Sequence, residues 1–432
     1  MTSSSETSAA GRTETPVRRT EDAKVAPYAW VVLAVGFIAS VAGPLGMFKV
    51  STVLPTLIRQ FHLSLSVAGL MVSVFAVTGF ILALPASSIF QKLGLKWTCV
   101  VSTAVMIVGS LMGTFATTGG VLLVSRFVEG AGMGLIAVAV PSAIAAWFPG
   151  RRRGIAMGIW NNWMTVGSIL AFSAVPAVVA RGTYKNAWWF STTYSAVALV
   201  LCLFFMRMPR PREVPALLIE RVDAPSGSSE KVTLRAALNG RNIWLAMIVA
   251  LCFGAAINVV PTYYPTFVTG AGVMTAGAVA VVITVENVLG MAGGLTAGFL
   301  FDRVRNRKLM FTWPLVGFAI LFLLLFGLRS LVAIYVWMLV YAFVTSLVPT
   351  CLFATAPEIM KSPAYAGYAM GMINMGQDVG LFLGPPLVGA IAAHSSWPIA
   401  GASLAPILVF GTVIGLLVKL PRRPKAATAP AM

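Results

Sequence analysis

The chain has 432 residues, of which 58% are hydrophobic and 10% charged, with a formal net charge of +18. A soluble domain carries about 25% charged residues, so this composition excludes an ordinary soluble protein and calls for a bilayer as solvent. Four cysteines (Cys99, Cys202, Cys252, Cys351) stand apart in apolar runs and two histidines (His62, His394) fall in separate predicted loops, so neither a disulfide framework nor a metal site is expected.

Residues 1–27 are rich in Ser, Thr, Glu and Arg, lack the apolar core of a signal peptide, and read as a disordered cytoplasmic tail. Apolar runs of about 20 residues, the length that spans a bilayer, follow near residues 28–57, 67–90, 97–116, 121–148, 154–180 and 187–206. Six more follow near 243–268, 276–301, 309–328, 331–359, 366–393 and 397–418. The expected fold is therefore an all-α integral membrane protein of twelve transmembrane helices. Its predicted units are an N-terminal six-helix bundle (28–207), a polar cytoplasmic linker (208–242) with Pro211, Pro215, Pro225 and a Ser226-Gly227-Ser228-Ser229 run, a C-terminal six-helix bundle (243–420) and a tail (421–432).

The fifth and eleventh spans echo each other. Ala156, Met157, Gly158, Asn161, Val166 and Gly167 are answered, about half a chain later, by Ala369, Met370, Gly371, Asn374, Val379 and Gly380. The turn at Gln91-Lys92-Leu93-Gly94 is likewise answered by Asp302-Arg303-Val304-Arg305. Such echoes mark a duplicated chain, and because six spans return it to its starting side, the two repeats are parallel around a central cavity. Lys and Arg concentrate in loops on the side of the termini, and only Arg59, Arg181, Lys185 and Arg329 fall in loops on the other side. Both termini are thus expected in the cytoplasm, with the protein multi-pass in the inner (plasma) membrane. Topology accounts for the basic charge, so no nucleic-acid partner is inferred.

At the motif level the chain resembles the major facilitator superfamily. Gly298-Phe299-Leu300-Phe301-Asp302-Arg303-Val304-Arg305-Asn306-Arg307-Lys308 is similar to the family's G-x-x-x-D-R-x-G-R-K loop after the eighth span, with Arg305 in place of the second glycine. The equivalent loop after the second span has Gln91 where the family has Asp. The resemblance implies a conformational loop at Gly298, Asp302, Arg303 and Arg307, whose Asp makes a charge–helix contact that locks the outward-open state. Arg126 to Gly132 is similar to the family's R-x-x-x-G-x-G signature on the fourth span, and the block from Trp147 to Gly158 resembles the cyanate, nitrate and small organic anion porters.

The residues carry a reading of their own. Gly158, Asn161, Asn162 and Thr165 share one face of the fifth span, and Gly367, Gly371, Asn374 and Asp378 share one face of the eleventh. Small residues let helices approach, and an amide in hydrocarbon is costly unless it bonds across an interface or faces water, so these faces are either packing glue or path lining. Five ionisable groups stand inside spans: Lys49, Arg126, Glu129, Glu286 and Asp378. A charge at the bilayer centre costs roughly 2.5–3.5 kcal/mol on insertion scales, so each must pair or face a cavity. Helical rise puts Lys49 roughly 15 Å from the outer face, and Asp378 and Glu286 roughly 20 and 24 Å from the inner face. Arg126 and Glu129, three residues apart, form a gating or structural charge pair. Lys49 follows the Gly43-Pro44 kink with no acid on its own helix, so it either snorkels to the outer interface or pairs with an anionic substrate or with Glu286 or Asp378 from the second half.

These readings combine into a secondary active transporter, not an enzyme, that carries a small organic or inorganic anion with protons by alternating access. Lys49, Asn161, Asn162, Asn258, Tyr263, Tyr264 and Asn374 are expected to bind substrate, and Glu286 and Asp378 to handle protons, because a carboxyl in a poorly solvated cavity can exchange protons near neutral pH. The absence of a P-loop points to gradient energy, no cofactor is expected, and the chain is read as a monomer. The alternative is proton-driven efflux of drugs or metabolites, and a third reading is a non-transporting sensor or membrane enzyme.

Overall fold

The computed structural model describes residues 25–148, 150–210, 240–303, 307–359 and 366–419, and among these the regular structure is helical throughout. Each predicted span falls on helix. Among the described residues nine helices are long and apolar enough to cross a membrane, and Leu65–Thr78 and Thr312–Leu324 are shorter apolar helices. The N-terminal tail to residue 24, the core of the predicted linker (211–239) and the C-terminal tail from residue 420 lie outside the described residues.

The first helices are α1 (Pro27–Phe61), α2 (Leu65–Thr114) and α3 (Gly119–Trp147). Helix α1 runs on through Pro44 and Pro55. Ser64 caps α2 by accepting from the Val67 N–H, and Thr118 caps α3 in the same way for Val121. Helix α2 contains two predicted spans, and its one non-helical residue is Gly94, at φ 71°. That left-handed conformation favours glycine, so the Gln91–Gly94 turn sits where the sequence places it.

The next elements are α4 (Gly150–Trp160), α5 (Trp163–Val179), α6 (Lys185–Phe205), α7 (Arg241–Ile257) and α8 (Val259–Gly270). They are followed by α9 (Ala276–Arg303), α10 (Arg307–Leu324), α11 (Leu331–Ile359), α12 (Ala366–His394), α13 (Trp397–Ala402) and α14 (Leu404–Leu417). Three spans expected to be single helices are broken, at Asn161-Asn162, at Asn258 and at Ser403. Two of these breaks have a proline as their cause. Pro261 and Pro406 supply no N–H to the carbonyls four residues earlier, those of Ile257 and Ala402. The Tyr341 hydroxyl takes over the Ile257 carbonyl at 3.3 Å. At the first break the Asn162 amide donates to the Gly158 and Ile159 carbonyls at 2.8 and 3.4 Å, a side chain competing with the backbone ladder.

Helix α1 packs on α3, α5 and α6, and α2 on α3 and α6. Helix α12 packs on α7, α9 on α11, and α10 on α11 and α14. The two sets meet through α2 against α12, α5 against α9 and α1 against α8. Helices α7 and α12 come into backbone contact, because a Cβ on Gly376, Gly380 or Gly384 would meet the Met247, Leu251 or Ala255 carbonyl. This glycine stripe is the packing seam of α12, while Gly371 on the predicted polar face has nothing near it.

Candidate binding and coupling site

Three charged side chains converge inside the helices α1, α2, α3 and α6. Arg126 and Glu129 lie one turn apart on α3, and α1 brings Lys49 to the same point. Helix α3 can carry a carboxylate here because its backbone crosses α2 at Gly109, where a Cβ would come within 2.6 Å of the Glu129 nitrogen. The Lys49 ammonium donates to Glu129 Oε1 at 2.5 Å and to Ser110 Oγ at 3.0 Å, and stands 4.9 Å from the centre of the Trp188 ring. Arg126 pairs with Glu129 Oε2, donates to the Met71, Gly46 and Met47 carbonyls, and lies 4.4 Å over the Phe75 ring.

Lys49 and Arg126 are 0% exposed and Glu129 is 2% exposed. Each ion stripped of water costs several kcal/mol, and the cluster recovers this through mutual attraction, carbonyls and ring faces. Two cations share one carboxylate, so the cluster carries a formal charge of +1. The expectation for Lys49 is corrected here. Its partner is Glu129, not Glu286, Asp378 or an open cavity, because α3 presents one carboxylate oxygen to each cation.

Tyr263 on α8 is 0% exposed, and its hydroxyl lies 2.7 Å from the Leu65 carbonyl of α2 and 2.9 Å from the Pro385 carbonyl of α12. It is a strut between the helix sets at the end away from the termini, not a surface of an open path. Tyr264 corrects the sequence reading more fully. It is 1% exposed and stacks on Trp337 at 5.8 Å, within an aromatic cluster that includes Phe267, Phe326 and Trp397. Successive helical residues point about 100° apart, so one tyrosine reaches the opposite set while its neighbour enters the core.

Asn258 is buried at the α7–α8 break, and its Nδ2 has no hydrogen-bond partner among the described residues. The Asn162 amide group is committed to its own helix, which removes it as a free substrate donor. Asn161 and Asn374 are exposed, and nothing stands within 4 Å of a Cβ at Gly158 or Gly371. The duplicated motif thus leaves the same two positions open in both repeats. Glu286 and Asp378 are partly buried, and neither makes an ion pair among the described residues. Glu286 lies in the electrostatic neighbourhood of Tyr341, whose hydroxyl holds the Ile257 carbonyl at the α7–α8 break. Gly298, Asp302 and Arg303 end α9 and Arg307 starts α10, and the side chains of Asp302, Arg303 and Arg307 lie outside the described residues. Among the described residues no group of three or more His, Cys, Asp or Glu forms a metal-ligand cluster.

Sequence reasoning missed Ser110 and Trp188, which complete the Lys49 cage. It also missed a cavity of about 350 Å³ between α1, α5, α8 and α9, lined by hydroxyls that include Ser51, Thr52, Thr56, Thr266, Thr269 and Thr275. The helical spacing of Thr52 with Thr56, and of Thr262, Thr266 and Thr269, was the available signal.

The family model for the Major Facilitator Superfamily matches residues 36–367 and 274–432. A probable sulfoacetate transporter of Cupriavidus necator is 24% identical over 85% of this chain and 87% of its own length. The cyanate transport protein of Escherichia coli is 26% identical over 62% of this chain and 67% of its own length. Among solved structures, a bacterial homologue of the human lysosomal transporter Spinster, in an inward-facing and unoccupied conformation, superposes with a TM-score of 0.76 at 14% identity, covering 91% of this chain and 98% of that one.

Proposed function

The chain belongs to the major facilitator superfamily and is a membrane transporter of that type, and on that premise we propose that it works by alternating access as a proton-coupled symporter of a small organic or inorganic anion. The observation that carries this reading is the buried cluster in which Lys49 and Arg126 share Glu129. Ionised Glu129 neutralises one of two cations. A proton on Glu129 would release Lys49 to a negative ligand, and an anion on Lys49 would in turn favour that proton. Proton and anion binding are then linked and reciprocal. Uptake of one proton and one monoanion leaves the charge of the site unchanged, so the pair crosses without adding charge to a buried site.

The two relatives add chemical support, since sulfoacetate and cyanate are both anions. In this reading Asn161 and Asn374 line the path, Asn258 supplies a free amide at the α7–α8 break, and Glu286 and Asp378 are further proton sites. The helix sets on either side of the α2–α12 and α5–α9 contacts are the two six-helix halves, acting in one monomer. Gly298, Asp302 and Arg303 at the end of α9 and Arg307 at the start of α10 belong to the conformational loop on the cytoplasmic side, with both termini. The test is uptake into proteoliposomes of labelled sulfoacetate and cyanate beside a cationic dye. Saturable uptake of an anion supports the reading, and uptake confined to the dye replaces it with the exporter.

A further inference from the structure

Lys49 and Ser51 are two residues apart on α1, which turns them to opposite sides of the helix. Lys49 faces the charge cluster, and Ser51 lines the cavity between α1, α5, α8 and α9. The cavity has about 350 Å³ of space, and its lining residues include no charged side chain. The Ser51 and Thr266 hydroxyls are buried there without a hydrogen-bond partner, an uncommon and costly state for a polar group. Thr275 accepts from the Ala278 N–H, which leaves its own O–H free to donate. Ser51 on α1, Thr266 on α8 and Thr275 just before α9 therefore place hydroxyls around one space, while Phe172 and Pro176 give it an apolar wall.

Hydroxyls with an unused O–H and no carboxylate among the lining residues suit a ligand group that accepts. The cluster with its formal charge of +1 lies behind α1, about one helix diameter of 10 Å away, and biases the space toward negative charge. We propose that this cavity is an oxyanion-binding station that takes the carboxylate or sulfonate head of a short organic acid on the hydroxyls of Ser51, Thr266 and Thr275. The station is separate from Lys49 and lies toward the end where the Tyr263 hydroxyl bridges α8 to α2 and α12. The proposal rests on the anion reading above and names the substrate's head group.

The experiment is calorimetric titration of the purified full chain with glycolate, succinate and sulfoacetate, with succinamide as the neutral control. Ser51→Ala and Thr266→Val should each weaken acid binding by about tenfold or more, the loss expected when a hydrogen bond to a charged group is removed. Should either variant fail to fold, Thr56→Cys provides a second measurement, because the native cysteines are buried and Thr56 is a half-buried lining residue outside the three donors. Maleimide labelling of that cysteine should slow severalfold when the bound acid is present and stay unchanged with succinamide. Acid binding that is unaltered in the hydroxyl variants, or labelling without protection, overturns the station and leaves the anion reading standing. A wild-type chain that binds none of the acids overturns both.

Discussion

Lys49, Arg126 and Glu129 are worth comparing by what each leaves behind when removed. Glu129→Gln leaves two buried cations facing each other with no carboxylate, and breaking a buried pair this way costs about 3–5 kcal/mol. Lys49→Met leaves the neutral Arg126–Glu129 pair and replaces an ammonium with an apolar chain of similar length. Thermal unfolding in detergent should show Glu129→Gln melting well below wild type and Lys49→Met melting at or above it, although Lys49→Met should not transport. A Lys49→Met variant destabilised as much as Glu129→Gln would mean that the cluster is a structural unit without a surplus cation. The Lys49 partner could not be read from the chain, because α1 and α3 meet only in three dimensions and Glu129 already had a partner one turn away.

At the scale of helices, close approach and helix breaks decide the behaviour. A Cβ at Gly384 would run into the Ala255 carbonyl, whereas one at Gly371 meets nothing within 4 Å. Gly384→Ala should therefore destabilise by about 1–3 kcal/mol, the usual cost of overpacking, while Gly371→Ala should be neutral or slightly favourable, as measured by unfolding midpoint. Tyr263 joins α8 to α2 and α12 through one hydroxyl between two carbonyls. Its removal in Tyr263→Phe should cost about 1 kcal/mol and shift the balance toward opening at that end, read as faster maleimide labelling of Thr56→Cys. An unchanged labelling rate would show that the strut does not hold the end closed. Two of the three breaks had a signal in Pro261 and Pro406, each four residues after a carbonyl to which it supplies no N–H, and the expectation of single helices passed over it. The break at Asn161-Asn162 was hidden, because it depends on which backbone group an asparagine side chain chooses.

For the whole molecule, hydropathy was enough to find the helices, since a bilayer leaves a spanning backbone little alternative to helix. The Gly94 turn between two spans was legible for an equally local reason. Contacts between helices were not. Tyr263 and Tyr264 look alike in sequence, yet one ties two helix sets together and the other fills an aromatic core. Asn161 and Asn374, which the duplicated motif pairs, are both exposed. Function at this scale depends on linkage between sites, so the sign can be stated in advance. If Glu129 must take a proton before Lys49 accepts an anion, acid on the uptake side speeds uptake and an anion gradient alone moves protons.

The most direct measurement is sulfoacetate uptake into proteoliposomes with and without an acid-outside pH gradient, for wild type and for Glu129→Gln stabilised by low temperature. The gradient should accelerate wild-type uptake, whereas the variant should exchange anion for anion with no response to pH. Wild-type uptake indifferent to the gradient, or a variant that responds as wild type does, would contradict the claim that Glu129 links the proton to the anion.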